Sequence, residues 1–171
     1  LAVVFGLITS TAFEPVSFWP SAFAGFAGWY FLLLRARLGS SILISYLFGL
    51  SQILVVQHWT GIYVGSLPWL VLGCCQATFF ILPAYFVGKS KRYNQFAFAT
   101  SLVIVELLLR TIPFTGFGWT RISFTQIDSP LSSLYKIGGV VLVAFFIAAI
   151  SASRTLITAA ILLILVALSA F

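Results

Sequence analysis

The side chains that could do chemistry gather in one segment of this chain, residues 106–131, which reads ELLLRTIPFTGFGWTRISFTQIDSPL. We call it the polar segment, because it brings acidic, basic, amide and aromatic residues together in an otherwise apolar sequence. Glu106 and Arg110 lie four residues apart, so one face of a helix presents both and they can pair. Ionisable groups inside a membrane are usually neutralised in this way or functional. Two interpretations stay open: a structural ion pair, or a site where Arg110 binds a phosphate and Glu106 orients it.

The middle of the polar segment combines glycine with aromatic residues. Gly116 and Gly118 permit backbone shapes that are closed to other residues. Phe117 and Trp119 beside them can enter the layer of lipid headgroups. This pattern predicts a re-entrant or surface-lying loop.

The last part of the polar segment carries three polar side chains of different chemistry. Arg121, Gln126 and Asp128 place a cation, an amide and a carboxylate within eight residues. One interpretation is a solvated loop face. The other is a vestibule for an amphiphile with an anionic head, in which Arg121 pairs with phosphate. Gln126 and Asp128 would then fix the loop or meet the polar substrate.

Conventional catalytic sets are missing from the sequence. The single histidine, His58, has no carboxylate or nucleophile near it in sequence, and Cys74 and Cys75 have no basic neighbour that would activate a thiol. No spacing of residues indicates a metal site, and no glycine pattern indicates a nucleotide cofactor. We therefore expect no catalytic residue, metal or cofactor in this chain.

The composition indicates the scaffold that must position the polar segment. Of the 171 residues, 61% are hydrophobic and 7% are charged, whereas soluble domains have roughly 25% charged residues. No charged residue lies between Leu38 and Gly88. The chain is predicted to be an integral membrane protein. Its net charge of +6 then indicates topology rather than nucleic-acid binding.

Seven segments meet or approach the roughly 20 apolar residues that a membrane-spanning helix needs. They predict an all-α fold: a single polytopic bundle of about seven transmembrane helices over residues 1–171, with a weakly polar link at 58–66. The segments are residues 1–13, 17–34, 39–57, 67–87, 95–112, 134–150 and 155–171.

Two further patterns concern packing. Ser21, Gly25 and Gly28 recur at helical spacing, which predicts that helix backbones approach closely there. The tryptophans, Trp29 among them, fall mostly near predicted helix ends. That placement predicts an interfacial aromatic belt.

The loops predict the orientation of the bundle. Cations occur in the loops after the second, fourth and sixth segments, and the positive-inside rule makes those loops cytoplasmic. The loop at 113–133 and the C-terminus are then extracytoplasmic. The cations are Arg35, Arg37, Lys89, Lys91, Arg92 and Arg154.

Two motifs of the polar segment resemble the membrane region of bacterial apolipoprotein N-acyltransferases. They are TGFGW at 115–119 and TQIDSPL at 125–131, and the family has a Glu and an Arg before a TGFPW-like turn and an SQIDGPL-like run. AFEP at 12–15 and WP at 19–20 are similar to the family's early AFSP and WP signature. Gly118 stands where the family usually has proline. The spacing of Glu106 and Arg110 is four, where three is common.

The resemblance implies a multi-pass protein of the bacterial inner membrane. In that family an extracytoplasmic nitrilase-like domain follows several spans, and its Glu, Lys and Cys transfer an acyl chain from a phospholipid to the diacylglyceryl cysteine of a lipoprotein. Those three residues have no counterpart here. The chain is therefore expected to be the N-terminal part of a longer enzyme, with a downstream or separate catalytic domain. The residues expected to line or brace a lateral entrance for the phospholipid and lipoprotein substrates are Glu106, Arg110, Trp119, Arg121, Gln126 and Asp128.

Two other functions stay open. One is a non-catalytic membrane anchor. Stand-alone or fused versions of this membrane region resemble the regions that tether a polyprenol-phosphate mannosyltransferase. The other is a small transporter. It is disfavoured because no predicted span has a clear mid-membrane break flanked by charges.

Overall fold

The computed structural model of the chain describes residues 1–90, 94–112 and 115–153. Within these ranges the chain forms eight α-helices and no strand, so the all-α prediction is confirmed. The helices are α1 (Ala2–Ser10), α2 (Pro20–Arg35), α3 (Leu38–Val56), α4 (His58–Val64), α5 (Ser66–Ala77), α6 (Ile81–Lys89), α7 (Asn94–Leu109) and α8 (Leu134–Ser151).

Three helical stretches of the described residues are long and apolar enough to cross a membrane: Leu38–Val56, Ser66–Lys89 and Pro130–Ser151. In the second, α5 continues into α6 through the 3₁₀ turn Thr78–Phe80. Helices α2 and α7 have 16 residues each. Such a helix is about 24 Å long, shorter than a hydrocarbon layer of about 30 Å.

The predicted number of seven spans is therefore not confirmed. The first predicted segment contains the short helix α1, and the seventh, 155–171, lies outside the described residues. The link predicted at 58–66 is mostly helical, since α4 occupies His58–Val64. It ends at Gly65, whose φ of +94° favours glycine.

Helix α3 packs against α1, α2, α5 and α6. Trp29 of α2 is fully buried, stacks on Phe48 of α3 at 4.3 Å between ring centroids, and donates a hydrogen bond to Ser45 Oγ at 3.1 Å. The prediction that Trp29 belongs to an interfacial belt is therefore wrong. Its ring packs in the core because the indole N–H finds a buried partner there.

Glycines of α2 let α1 approach closely, as predicted. A Cβ atom at Gly25 would lie 1.9 Å from Thr9 Oγ1, and one at Gly28 would lie 2.2 Å from the Phe5 ring. Neither position tolerates a side chain in this packing. The contact holds α1 against the bundle although α1 has only 9 residues.

The polar segment begins in the last turns of α7 and returns to α8 as a series of short turns. Three 3₁₀ turns follow one another: Gly118–Thr120, Ile122–Gln126 and Pro130–Ser133. The path is compact, and a re-entrant or surface-lying position of the loop in the membrane stays a prediction. The path places the segment at the end of the bundle where α7 stops and α8 starts.

Candidate functional site

Glu106 is the anchor of the polar segment. Its side chain is 2% exposed and accepts three hydrogen bonds from residues that follow it in the chain. Arg121 Nε donates to Oε2 at 2.9 Å, the Ile122 backbone N–H donates to Oε1 at 2.7 Å, and Ser123 Oγ donates to Oε2 at 3.0 Å. We call this group the Glu106 clamp. It satisfies a buried carboxylate, which would otherwise be costly in an apolar interior.

The partner of Glu106 is therefore Arg121, and the predicted pair with Arg110 is wrong. Both oxygens of the carboxylate are occupied by residues 121–123, which fold back over the end of α7. Arg110 follows the last residue of α7, is exposed, and forms no ion pair with any residue that the structure describes. The helical spacing was compatible with pairing, but the returning loop supplies better placed donors.

A tight turn brings the loop back onto α7. Gly116 has a φ of +86°, and a Cβ there would lie 2.0 Å from the backbone carbonyl carbon of Arg110. The N–H of Phe117 donates to the Leu109 carbonyl at 2.8 Å, which satisfies one of the last free carbonyls of the helix. The prediction of a special backbone shape is confirmed at Gly116. Gly118 instead lies beside the side chains of Arg110 and Arg121, where a Cβ would be 3.0 Å from Arg121 Cδ.

A second anchor comes from two buried glutamines that the sequence analysis did not single out. Gln76 Nε2 donates to the Phe117 carbonyl at 2.7 Å, and Gln57 Nε2 donates to Gln76 Oε1. Both amides are fully buried and lie in otherwise apolar segments. A glutamine within an apolar segment is the sequence signal that could have indicated them, because buried polar groups are usually hydrogen-bonded.

Trp119 lies on an aromatic face of the site. Its side chain is 62% exposed and meets Trp59 of α4 edge to face at 6.1 Å between centroids. Phe117 stacks on the same Trp59 at 6.0 Å. Trp119 is therefore exposed, and Trp59 from the link predicted at 58–66 packs against it. That Trp119 enters the layer of lipid headgroups stays a prediction.

Gln126 and Asp128 lie near the loop between α1 and α2. Gln126 is fully buried, and its Nε2 donates to Thr125 Oγ1 at 2.9 Å and to the Trp19 carbonyl at 3.4 Å. It therefore braces the polar segment against the loop between α1 and α2. Asp128 is exposed and lines a cavity of about 220 Å³ together with Glu14 from that loop.

The site is thus a braced loop with three exposed parts rather than a single pocket. Glu106, Arg121 and Gln126 hold the loop, whereas Arg110, Trp119 and Asp128 are exposed. Tyr135 of α8 adds a hydrogen bond to the carbonyl of Ser123, which ties the clamp to a third element. No group of three metal-binding side chains occurs among the residues that the structure describes.

The described residues therefore form a helical bundle of membrane type, and a buried ion pair holds a polar loop at one end of it. Comparison with known sequences gives the family. A family model described as the apolipoprotein N-acyltransferase N-terminal domain matches residues 5–153. The chain belongs to this family, as its motifs indicated.

Curated relatives show the same similarity. The apolipoprotein N-acyltransferase of Haemophilus influenzae is 29% identical over 156 residues, which are 85% of this chain and 30% of that protein. The one of Pseudomonas syringae pv. tomato is 33% identical over 160 residues, 85% of this chain and 32% of that protein. The one of Mycolicibacterium smegmatis is 35% identical over 159 residues, 90% of this chain and 27% of that protein. The chain spans about a third of the length of these relatives.

Proposed function

We propose that the chain is the membrane region of an apolipoprotein N-acyltransferase of the bacterial inner membrane. In this proposal it binds a phospholipid and a diacylglyceryl-cysteine lipoprotein for N-acyl transfer during lipoprotein maturation. Family membership over residues 5–153 supports the class of activity. The chemical step belongs to residues of a catalytic domain that have no counterpart among the motifs of this chain.

The Glu106 clamp is the observation that carries the proposal. A carboxylate that is 2% exposed binds the loop at three consecutive residues, 121–123, so the loop has a fixed shape. The fixed loop displays Trp119 and leaves the cation Arg110 exposed at the end of α7. An aromatic side chain and an arginine at the end of a membrane helix suit the headgroup region of an amphiphile.

Five of the six predicted site residues then have a further proposed role. Glu106, Arg121 and Gln126 position the loop through buried hydrogen bonds. Trp119 contacts substrate lipid. Asp128, in its cavity beside Glu14, meets a polar part of a substrate.

The distribution of charge supports an extracytoplasmic location for the polar segment. Glu14 and Asp128 line one cavity, so the loop after α1 and the polar segment lie at the same end of the bundle. At another loop region Leu38 lies against Gly88, which brings the loop after α2 close to the end of α6. The described cations of those two loops are Arg35, Arg37 and Lys89, as the positive-inside rule requires of a cytoplasmic end. The predicted location of the C-terminus concerns residues outside those that the structure describes.

A chimaera tests the function. Residues 5–153 replace the matching region of the Haemophilus influenzae enzyme, and N-acylation of a diacylglyceryl lipopeptide is measured by mass spectrometry in reconstituted vesicles. We expect acyl transfer, and a roughly tenfold or greater loss in Glu106→Ala because the buried pair is broken. Leu107→Ala is the matched control, since Leu107 is an exposed neighbour on the same helix. A correctly inserted chimaera without acyl transfer, or full activity in Glu106→Ala, would contradict the proposal.

Cysteine labelling tests the orientation. Cys74 and Cys75 are exposed and are first replaced by serine. A cysteine is then introduced at Ile127, which is exposed in the polar segment, or at Leu38, which is exposed at the start of α3 against Gly88. An impermeant thiol reagent applied to intact spheroplasts should label Ile127→Cys, and should label Leu38→Cys only after lysis. The reverse pattern would refute the orientation.

A further inference from the structure

Helices α2 and α6 end with the same pair of side chains. In each helix an aromatic residue is followed four residues later by a cation, and the cation is the last residue of the helix. The pairs are Phe31 with Arg35 in α2, and Tyr85 with Lys89 in α6. Side chains four residues apart are neighbours on the surface of a helix. Each pair is therefore placed to make a contact between the cation and the ring.

In both pairs the charge lies over the ring. The guanidinium carbon of Arg35 is 3.5 Å from the centroid of the Phe31 ring, and Lys89 Nζ is 5.7 Å from the centroid of the Tyr85 ring. The electrons of an aromatic face attract a cation at such distances. Both rings are about half exposed, so the two charges are held along the outer surface of the bundle instead of extending away from it.

The two helix ends form one surface. Leu38, at the start of α3, lies against Gly88, where a Cβ would be 3.4 Å from Leu38 Cδ1. This contact brings the end of α6 to the connection between α2 and α3. Arg37 lies in that connection and is exposed, as are Arg35 and Lys89. We call these three cations the cationic rim.

The cationic rim carries one sign of charge. The sequence has three acidic residues, and all three lie in the polar segment or in the loop between α1 and α2. Helix α3 starts at the rim and runs for 19 residues, about 28 Å, before α4, whose Trp59 contacts Trp119 of the polar segment. Within the described ranges no cation of the rim forms an ion pair. The rim is therefore an exposed positive surface, far from the polar segment.

We propose that the cationic rim binds the headgroups of anionic lipids, in the leaflet that is cytoplasmic in the proposed orientation. Each Lys or Arg near a negatively charged membrane surface strengthens the attraction about fivefold. The rings hold Arg35 and Lys89 beside the neighbouring lipids, so less side-chain freedom is lost on binding. These lipids are not acyl donors for the polar segment, because α3 separates the two surfaces. They fix the depth at which α2 and α6 end in the membrane.

Photolabelling tests the rim with the chain in nanodiscs made mostly of phosphatidylcholine. The two probes are phosphatidylglycerol, which is anionic, and phosphatidylcholine, which has no net charge. Both carry the same acyl chains and a diazirine close to the ester of one chain, and labelled peptides are identified by mass spectrometry. We expect phosphatidylglycerol to label residues 31–40 and 85–90 more strongly than phosphatidylcholine does. Soluble glycerol 3-phosphate should not compete, because it has no acyl chains to keep it at the membrane surface.

Removal of single charges tests whether the rim itself is responsible. Arg35→Gln and Lys89→Gln should each lower the preference for phosphatidylglycerol about fivefold, and the double variant should lower it about twenty-five-fold. Lys136→Gln is the matched control, because it removes an exposed cation at the start of α8, next to the polar segment. It should leave the preference at 31–40 and 85–90 unchanged.

A second variant keeps every charge and removes a ring. In Phe31→Leu the Arg35 side chain is no longer held along the bundle, so the preference should fall about twofold. Phe18→Leu, at an exposed phenylalanine in the loop between α1 and α2, is its control. Phe31→Leu also provides the test if Arg35→Gln fails to insert.

Four results would overturn the proposal. Equal labelling by the two probes would show that the rim does not select anionic lipids, and an equal effect of Lys136→Gln would reduce the preference to net charge. Competition by glycerol 3-phosphate would indicate a site for free phosphate. Cross-links from the rim to another protein segment would mean that a protein covers it. The assay does not depend on acyl transfer or on orientation, so the rim and the proposed function fail separately.

Discussion

Removing the cation of the Glu106 clamp should destabilise the fold more than removing any exposed cation. In Arg121→Met the apolar stem is largely kept, but the Glu106 carboxylate, which is 2% exposed, loses its charged partner. The Ile122 N–H and the Ser123 hydroxyl remain as donors. Breaking a buried ion pair costs about 3–5 kcal/mol. We expect a value near the lower end, because these two donors still satisfy part of the carboxylate.

Arg110→Met is the matched control for this substitution. It makes the same chemical change at an arginine that is exposed and lacks an ion pair within the described ranges. Surface substitutions away from special contacts usually change stability by less than about 0.5 kcal/mol. The contrast between the two arginines therefore isolates the contribution of the buried pair.

The double variant Glu106→Gln with Arg121→Met completes the test. Glutamine has no charge to leave unpaired, so the double variant should be more stable than the sum of the two single losses predicts. Equilibrium unfolding in mixed micelles, followed by tryptophan fluorescence, measures five proteins under one condition: the wild type, the double variant and the single variants Glu106→Gln, Arg121→Met and Arg110→Met. The reasoning is refuted if Arg121→Met costs no more than Arg110→Met, or if the two losses at the clamp simply add.

Two further predictions concern the turn and the second anchor. Gly116→Ala should prevent the loop from closing on α7, because its Cβ would overlap the Arg110 carbonyl at a φ of +86°. Thermal unfolding should show a clear loss of stability. Gly118→Ala should cost less, since its Cβ meets only the Arg121 side chain at 3.0 Å. Equal losses at the two glycines would argue against the turn. Gln76→Leu leaves the Phe117 carbonyl without its buried donor, which should cost about 1–3 kcal/mol and speed hydrogen exchange of the amides at 116–119. Exchange that stays at the wild-type rate would show that this bond does not hold the loop.

The sequence was sufficient for the class of fold and for singling out the polar segment. Long apolar segments predict helices whatever their partners are, and the all-α bundle follows from them. The number of spans was harder to predict, because hydropathy does not show where a helix stops. Helix α2 starts only at Pro20, since the residues before it form a turn, and α7 ends at Leu109 where the loop folds back.

Within the site, local patterns were reliable and long-range partners were not. Gly116 has the special backbone that its surroundings predicted. The pairing of Glu106 could not be read from spacing, because Arg110 and Arg121 both carry the required charge and only the path of the loop chooses between them. Gln76 was missed for the same reason, since its partner Phe117 lies 41 residues later in the chain.

The two anchors together explain how an exposed loop can keep one shape. Glu106 holds residues 121–123 from α7, whereas Gln76 holds Phe117 from α5, so the exposed Trp119 lies between two fixed points. Each anchor is a buried polar group in an apolar bundle, where an unmade hydrogen bond is expensive. A change in the shape of the loop therefore leaves a helix with an unsatisfied buried polar group. The position of Trp119 consequently depends on the packing of α5 and α7 and not on the loop sequence alone.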